Sequence, residues 1–184
     1  MVGRLVWTSW IIAVAASTLS CAQPAGGGQQ EFASLPCDSM AGVLDKESVS
    51  YDPTTSSDEI HGSLKVTFTE PGAIHLFDIP SPYPHGYYTV TARLRSDKFK
   101  GNCGLVISLP KTNPSQNPPG HLMGTEDWIT IQASTYTTER VDKVSLYLVA
   151  DGPGTAWIDD IYVTVWVNWF RQEVPPPGMV GRSK

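Results

Sequence analysis

The chain has 184 residues, 41% hydrophobic and 17% charged, which is enough apolar matter for one packed core and too little charge for a disordered polyelectrolyte. Its net charge of −5, from 13 Lys and Arg against 18 Asp and Glu, argues against the broad basic surface that a nucleic-acid backbone requires. No apolar run approaches the roughly 18 residues of a membrane-spanning helix.

Residues 1–20 carry one cation, Arg4, then the apolar run from Trp10 to Ala16, then the small and polar Ser17 to Ser20. That order is an export signal. The glycines and glutamines at 26–30 give a first helix of the fold neither a cap nor a partner face. Two processing sites compete. Ser20-Cys21-Ala22 permits a cut after Ala22, whereas Thr18-Leu19-Ser20-Cys21 resembles the lipobox of bacterial lipoproteins, with threonine where that family prefers leucine. The resemblance makes Cys21 the lipidated N-terminus and the only membrane contact, with residues 21–34 as a flexible tether. Three cysteines leave one over in an exported chain. Spending Cys21 on lipid leaves Cys37 and Cys103 as a disulfide pair or as two separate buried thiols.

Residues 35–170 form the expected domain, and helical periodicity is almost absent from them. Leu64, Val66 and Phe68 alternate with polar residues up to the turn at Glu70-Pro71-Gly72, and 74–79 gives a second short strand. Prolines 80, 82 and 84 then impose an exposed connection, in which Tyr83 and His85 are a lesser candidate contact. Tyr88, Val90, Ala92 and Leu94 face one side of the next strand, with Tyr87, Thr89, Thr91, Arg93 and Arg95 on the other. Leu105, Ile107 and Leu109 continue the pattern before a proline-rich loop over 110–127. Trp128 opens a further strand, Val144 to Val149 another, and 155–167 a long last one rich in β-branched and aromatic residues. Residues 171–184 read as a disordered proline-rich tail. Seven or eight short strands predict an all-β fold, a two-sheet antiparallel β-sandwich.

Several segments resemble the galactose-binding-like jelly rolls, the group that includes many bacterial carbohydrate-binding modules. They are 152–163 at the closing strand, His61 to Val66 at an entry strand, Tyr88 to Ala92 at a central strand, and Thr125 to Trp128 before the strand opened by tryptophan. The resemblance implies a jelly roll over 45–165 with a glycan or polysaccharide as partner. It also makes Asp160 the position that caps the sandwich or ligates a structural calcium ion. The asparagine-glycine-phenylalanine-glutamate strand that helps hold calcium in that family is missing from 37–52, which favours a carboxylate accepting backbone amides instead.

Sugar sites combine an aromatic platform with planar hydrogen-bonding side chains. Tyr87 and Arg93, Trp128 and Gln132, and Tyr147 lie on the polar-facing sides of three strands, and they line one groove if those strands share a sheet. The bland alternative has Trp128 anchoring a strand end and the others decorating a surface. Histidines 61, 75, 85 and 121 lack zinc-ligand spacing, and neither a nucleophile elbow nor a phosphate-cradling loop occurs, so no catalysis is expected. The sequence thus points to an exported, lipid-anchored, non-catalytic carbohydrate-binding module. The alternative is a structural or protein-interaction module docking through the end of its last strand, near Trp166, Trp169 and Phe170.

Overall fold

The computed structural model describes residues 28–58, 60–110 and 122–167. Alternating apolar side chains build eight strands: β1 (Gly28–Leu35), β2 (Val49–Asp52), β3 (Ser63–Phe68), β4 (Gly72–Pro80), β5 (Gly86–Ser108), β6 (Leu122–Thr137), β7 (Lys143–Ala150) and β8 (Gly154–Val167). Among the described residues there is no helix. All pairings are antiparallel, in the order β2-β3-β8-β5-β7-β4, with β1 following β3 along the same edge of β8 and β6 along β5. The fold is the two-layered β-sandwich of a jelly roll.

The 23-residue β5 belongs to both layers. Its first part, 87–97, lies between β8 and β6, and its last part, 103–108, pairs with β7. The bend between them uses left-handed backbone at Lys98 and Gly101 (φ 55° and 114°). A methyl group at Gly101 would collide with the Asp151 carboxylate, which holds both the backbone N–H and, at 2.7 Å, the side-chain amide of Asn102. β6 turns with β5 through Gly124 (φ 65°), so one curled sheet closes over its own apolar side. Leu64, Leu94, Ile158 and Ile161 from one layer pack with Leu76, Leu105, Leu146 and Leu148 from the other, all fully buried. Each such side chain contributes roughly 1.5–3 kcal/mol of burial.

β8 is an interior strand, with β5 along one edge and β3 followed by β1 along the other. The β3 pairing ends at Ile158 and the β1 pairing begins at Ile161. Between them Asp160 has φ 50°, and the register against β5 slips between Thr91 and Arg93. This bulge inverts the side-chain alternation. Ile158, Ile161, Val163 and Val165 therefore all enter the core, whereas Trp157 stands half-buried on the outer face.

The structure corrects three expectations. The C-terminal part of the expected tether, from Gly28, is β1, because the edge of β8 beyond Ile158 otherwise has no hydrogen-bond partner and because Phe32, Ala33 and Leu35 pack on the core. Residues 122–127 of the expected long loop open β6, and 111–121 lie outside the described residues. Cys37 and Cys103 are free buried thiols rather than a disulfide: Cys37 follows β1, near Asp159, while Cys103 lies between Ala150 and Leu122 in the other layer. Burial, with help from nearby carboxylates, pushes both thiols up, Cys103 to about 12. The export signal, Cys21 and the tail at 171–184 lie outside the described residues.

Candidate functional site

The face of the first layer turned away from the core carries the odd-numbered side chains of β5. Register places Tyr87 beside Trp166, Thr89 between Thr164 and Ser134, and Thr91 between Tyr162 and Gln132, with Gln29 of β1 across from Trp166. Gly86 (φ 150°) lets β5 begin tight against β8, since a methyl group there would lie 2.8 Å from Val165 Cγ2 and 2.9 Å from the Trp166 carbonyl oxygen. The result is a shallow cleft of about 140 Å³ lined by Gln29, Tyr87, Thr89, Thr91, Gln132, Thr164 and Trp166.

Hydrogen bonds hold its polar rail in place. Gln29 Nε2 donates to Thr164 Oγ1 at 3.0 Å, Thr89 Oγ1 and Ser134 Oγ share a bond at 3.1 Å, and Gln132 Nε2 donates to Ser134 Oγ at 3.3 Å. Two aromatic rings thus flank hydroxyls and carboxamides whose orientations are fixed before any ligand arrives. The Tyr87 phenol is the one titratable side chain in this lining.

Beyond Thr91 the same face becomes cationic. Arg93 and Arg95 follow along β5, and Lys65 of β3 faces Arg95 across Trp157. Lys65 Nζ and the Arg95 guanidinium lie 5.5 and 5.7 Å from the centre of the Trp157 ring, whose Nε1 donates to Asp52 Oδ2 at 2.8 Å. Arg93 Nε and Trp166 Nε1 are buried without a hydrogen-bond partner among the described residues.

Of the five residues read from sequence as one groove, Tyr87 and Gln132 line the cleft. Arg93 and Trp128 share its face farther along the strands, where Arg93 pairs with Thr130 and Trp128 is half-buried two residues before Thr130. Tyr147 does not join them. It belongs to β7 in the other layer and stacks on His75, ring centres 4.3 Å apart, because polar parity reveals the outward side of a strand without revealing its sheet. Trp166, Thr164, Thr89 and Thr91 were legible only as the polar side of their strands, and Gln29 was hidden in the expected tether. Tyr83 is structural: it packs on Phe32 at 6.0 Å, and its carbonyl accepts from Tyr88 Oη at 2.6 Å.

Beside Tyr147, Asp78 accepts from Lys143 at 2.5 Å, Ser145 at 2.6 Å and His75 at 2.9 Å. Burial opposes its ionisation, but these donors outweigh it and lower its pKa from 3.8 to about 2. A depressed carboxylate pKa stabilises the fold above the unfolded value, and that contribution is lost as pH falls through about 2. Asp78→Asn is expected to cost about 1 kcal/mol at neutral pH, after allowance for solvent screening. In acid urea titrations the difference from the parent should vanish towards pH 2; a difference that persists unchanged at that pH contradicts the assignment.

Asp159 and Asp160 close the bulge in β8. Asp159, 3% exposed, accepts from Ser57 N and from the Asp160 backbone N–H, both at 3.0 Å, and Asp160 Oδ2 accepts from Ser57 Oγ at 2.9 Å. Burial raises the Asp159 pKa against the pull of Ser57. Calcium takes six to eight oxygens, whereas no group of three or more His, Cys, Asp or Glu side chains gathers among the described residues. At this corner Asp159 and Asp160 both accept hydrogen bonds from Ser57.

No protein-family model matches the sequence, and no curated protein matches it. Solved structures do resemble it in shape. The xylan-binding CBM22-1 domain of Paenibacillus barcinonensis Xyn10C superposes with a TM-score of 0.55 at 12% identity, covering 77% of this chain and 98% of that domain. The CBM22-1 and GH10 modules of Clostridium thermocellum xylanase 10B, complexed with xylohexaose, give 0.53 at 11% identity over 73% of this chain and 28% of that one. The chain shares the jelly-roll β-sandwich fold of these two modules.

Proposed function

We propose that this chain is an exported, non-catalytic carbohydrate-binding module, tethered to the cell envelope by lipid on Cys21, that binds a polysaccharide in the cleft between Tyr87 and Trp166. The observation that carries this reading is the composition of the cleft. Two rings offer apolar platforms for the C–H faces of sugars, while Gln29, Gln132 and three threonines offer donors and acceptors to hydroxyls. Glycoside hydrolysis needs a pair of carboxyl groups across the scissile bond, and the lining supplies none. The similarity in fold to a domain described as xylan-binding makes xylans a first choice of ligand.

Retention of the purified chain on a panel of insoluble polysaccharides and soluble glycans tests the reading. Selective retention without release of reducing sugar supports it, and no retention of a folded sample ends it. Lipidation has its own readout: Cys21 should take up radiolabelled palmitate in a bacterial host, and label that persists in Cys21→Ser would place the lipid elsewhere.

The Asp159–Asp160 corner works by hydrogen bonds alone in this account. Melting temperature and glycan retention are expected to be the same in calcium and in chelator. A melting temperature several degrees higher in calcium would restore Asp160 as a metal ligand.

A further inference from the structure

We infer that the glycan bound by this face is acidic, with a uronate carboxylate seated at the end formed by Lys65, Arg93 and Arg95; the inference rests on the glycan reading above. Ion pairs among the described residues use His75, Lys98, Arg140 and Lys143, and none uses these three cations. None of the three side chains donates a hydrogen bond among the described residues, and Arg93 Nε is buried there without a partner. Of the acids on neighbouring positions, Asp52 accepts from the Trp157 indole, Asp159 from Ser57, and Asp97, in phase with Arg95 on β5, from Thr125 and Lys98. In a chain of net charge −5, three cations that form no ion pair among the described residues concentrate positive charge at one end of this face.

Their placement gives that charge a direction. Thr91, Arg93 and Arg95 lie in phase on β5, so each successive side chain stands about 6.6 Å farther from the cleft. A polysaccharide lying along β5 from Tyr87 passes over the neutral rail and then reaches the cations. The Trp157 ring holds Lys65 and Arg95 on either side by cation–π attraction, which reduces the conformational entropy lost when an anion binds. A guanidinium fork matches the two oxygens of a carboxylate, and the hydroxyl and carboxamide rail matches the rest of the sugar chain.

The test compares glucuronoxylan and polygalacturonate with their carboxyl-reduced forms in titrations of the full chain at low ionic strength. At least one acidic polymer is expected to bind about tenfold more tightly than its reduced form, a ratio that narrows as salt is added. Lys65→Gln combined with Arg95→Gln should bring that ratio to about one. Equal affinity for acidic and reduced polymers overturns the inference while leaving the glycan reading standing, whereas failure to bind any glycan removes both. A preference that survives the double substitution undiminished, or tighter binding of a uronate-free sulfated galactan, overturns the carboxylate assignment.

Discussion

Trp166→Ala is expected to weaken glycan binding by about thirtyfold, or about 2 kcal/mol, in a variant that still folds. Trp166 lies beside Tyr87 in the register of β5 and β8, next to the Gln29–Thr164 hydrogen bond. Removing the indole therefore deletes one wall of the cleft and loosens the rail. Tyr87→Ala should produce a loss of similar order, because a sugar ring that stacks on one aromatic is steadied by the other. Tyr147→Ala is the informative comparison. Its ring also faces outward, but on the opposite layer against His75, so affinity should stay within about twofold of the parent. Titration calorimetry on samples matched by circular dichroism separates these outcomes, and a Tyr147 variant that loses binding while the Trp166 variant keeps it would move the site to the other sheet.

The second large effect concerns the residue directly behind Tyr87. Tyr88 is 0% exposed, meets the Phe32 ring edge-on at 6.1 Å, and its hydroxyl lies 2.6 Å from the Tyr83 carbonyl and 3.2 Å from Ser81 Oγ. One side chain thus ties β5 to β1 and to the proline loop. Tyr88→Ala removes an aromatic from a sealed core and is expected to cost about 3–5 kcal/mol, much of the stability of an ordinary domain. Tyr88→Phe keeps the packing and loses the hydroxyl, at about 1–2 kcal/mol. Urea denaturation of the three proteins checks the order. A Phe variant as damaged as the Ala variant would show that the hydroxyl, rather than the ring, carries Tyr88's contribution.

Much of this fold is legible in the sequence because strand alternation is a local property. Leu64, Val66 and Phe68, or Tyr88 to Leu94, show their inward sides without any tertiary information, and both sets are buried as the pattern requires. Three features depend on non-local facts. β1 has a composition typical of a linker and becomes a strand only because β8 offers an unpaired edge. The bulge at Asp160 places Trp157 on the outer face, although simple counting along 155–167 groups it with Ile161 and Val163. Tyr147 has the correct parity for an outward ring, but only the bend of β5 at Lys98 to Gly101 determines which outer face receives it. The cleft was half legible for the same reason: Tyr87 and Gln132 sit on adjacent strands of one layer, whereas Gln29 arrives from 58 residues before Tyr87.

The most direct test follows the tryptophan indole N–H signals and the backbone amides by NMR while a retained glycan is titrated in. The account predicts that Trp166 shifts first and most, together with Tyr87, Thr89, Thr91 and Gln132, while His75 and Tyr147 remain still. Shifts confined to the His75 and Tyr147 face, with Trp166 unmoved at saturation, would contradict it.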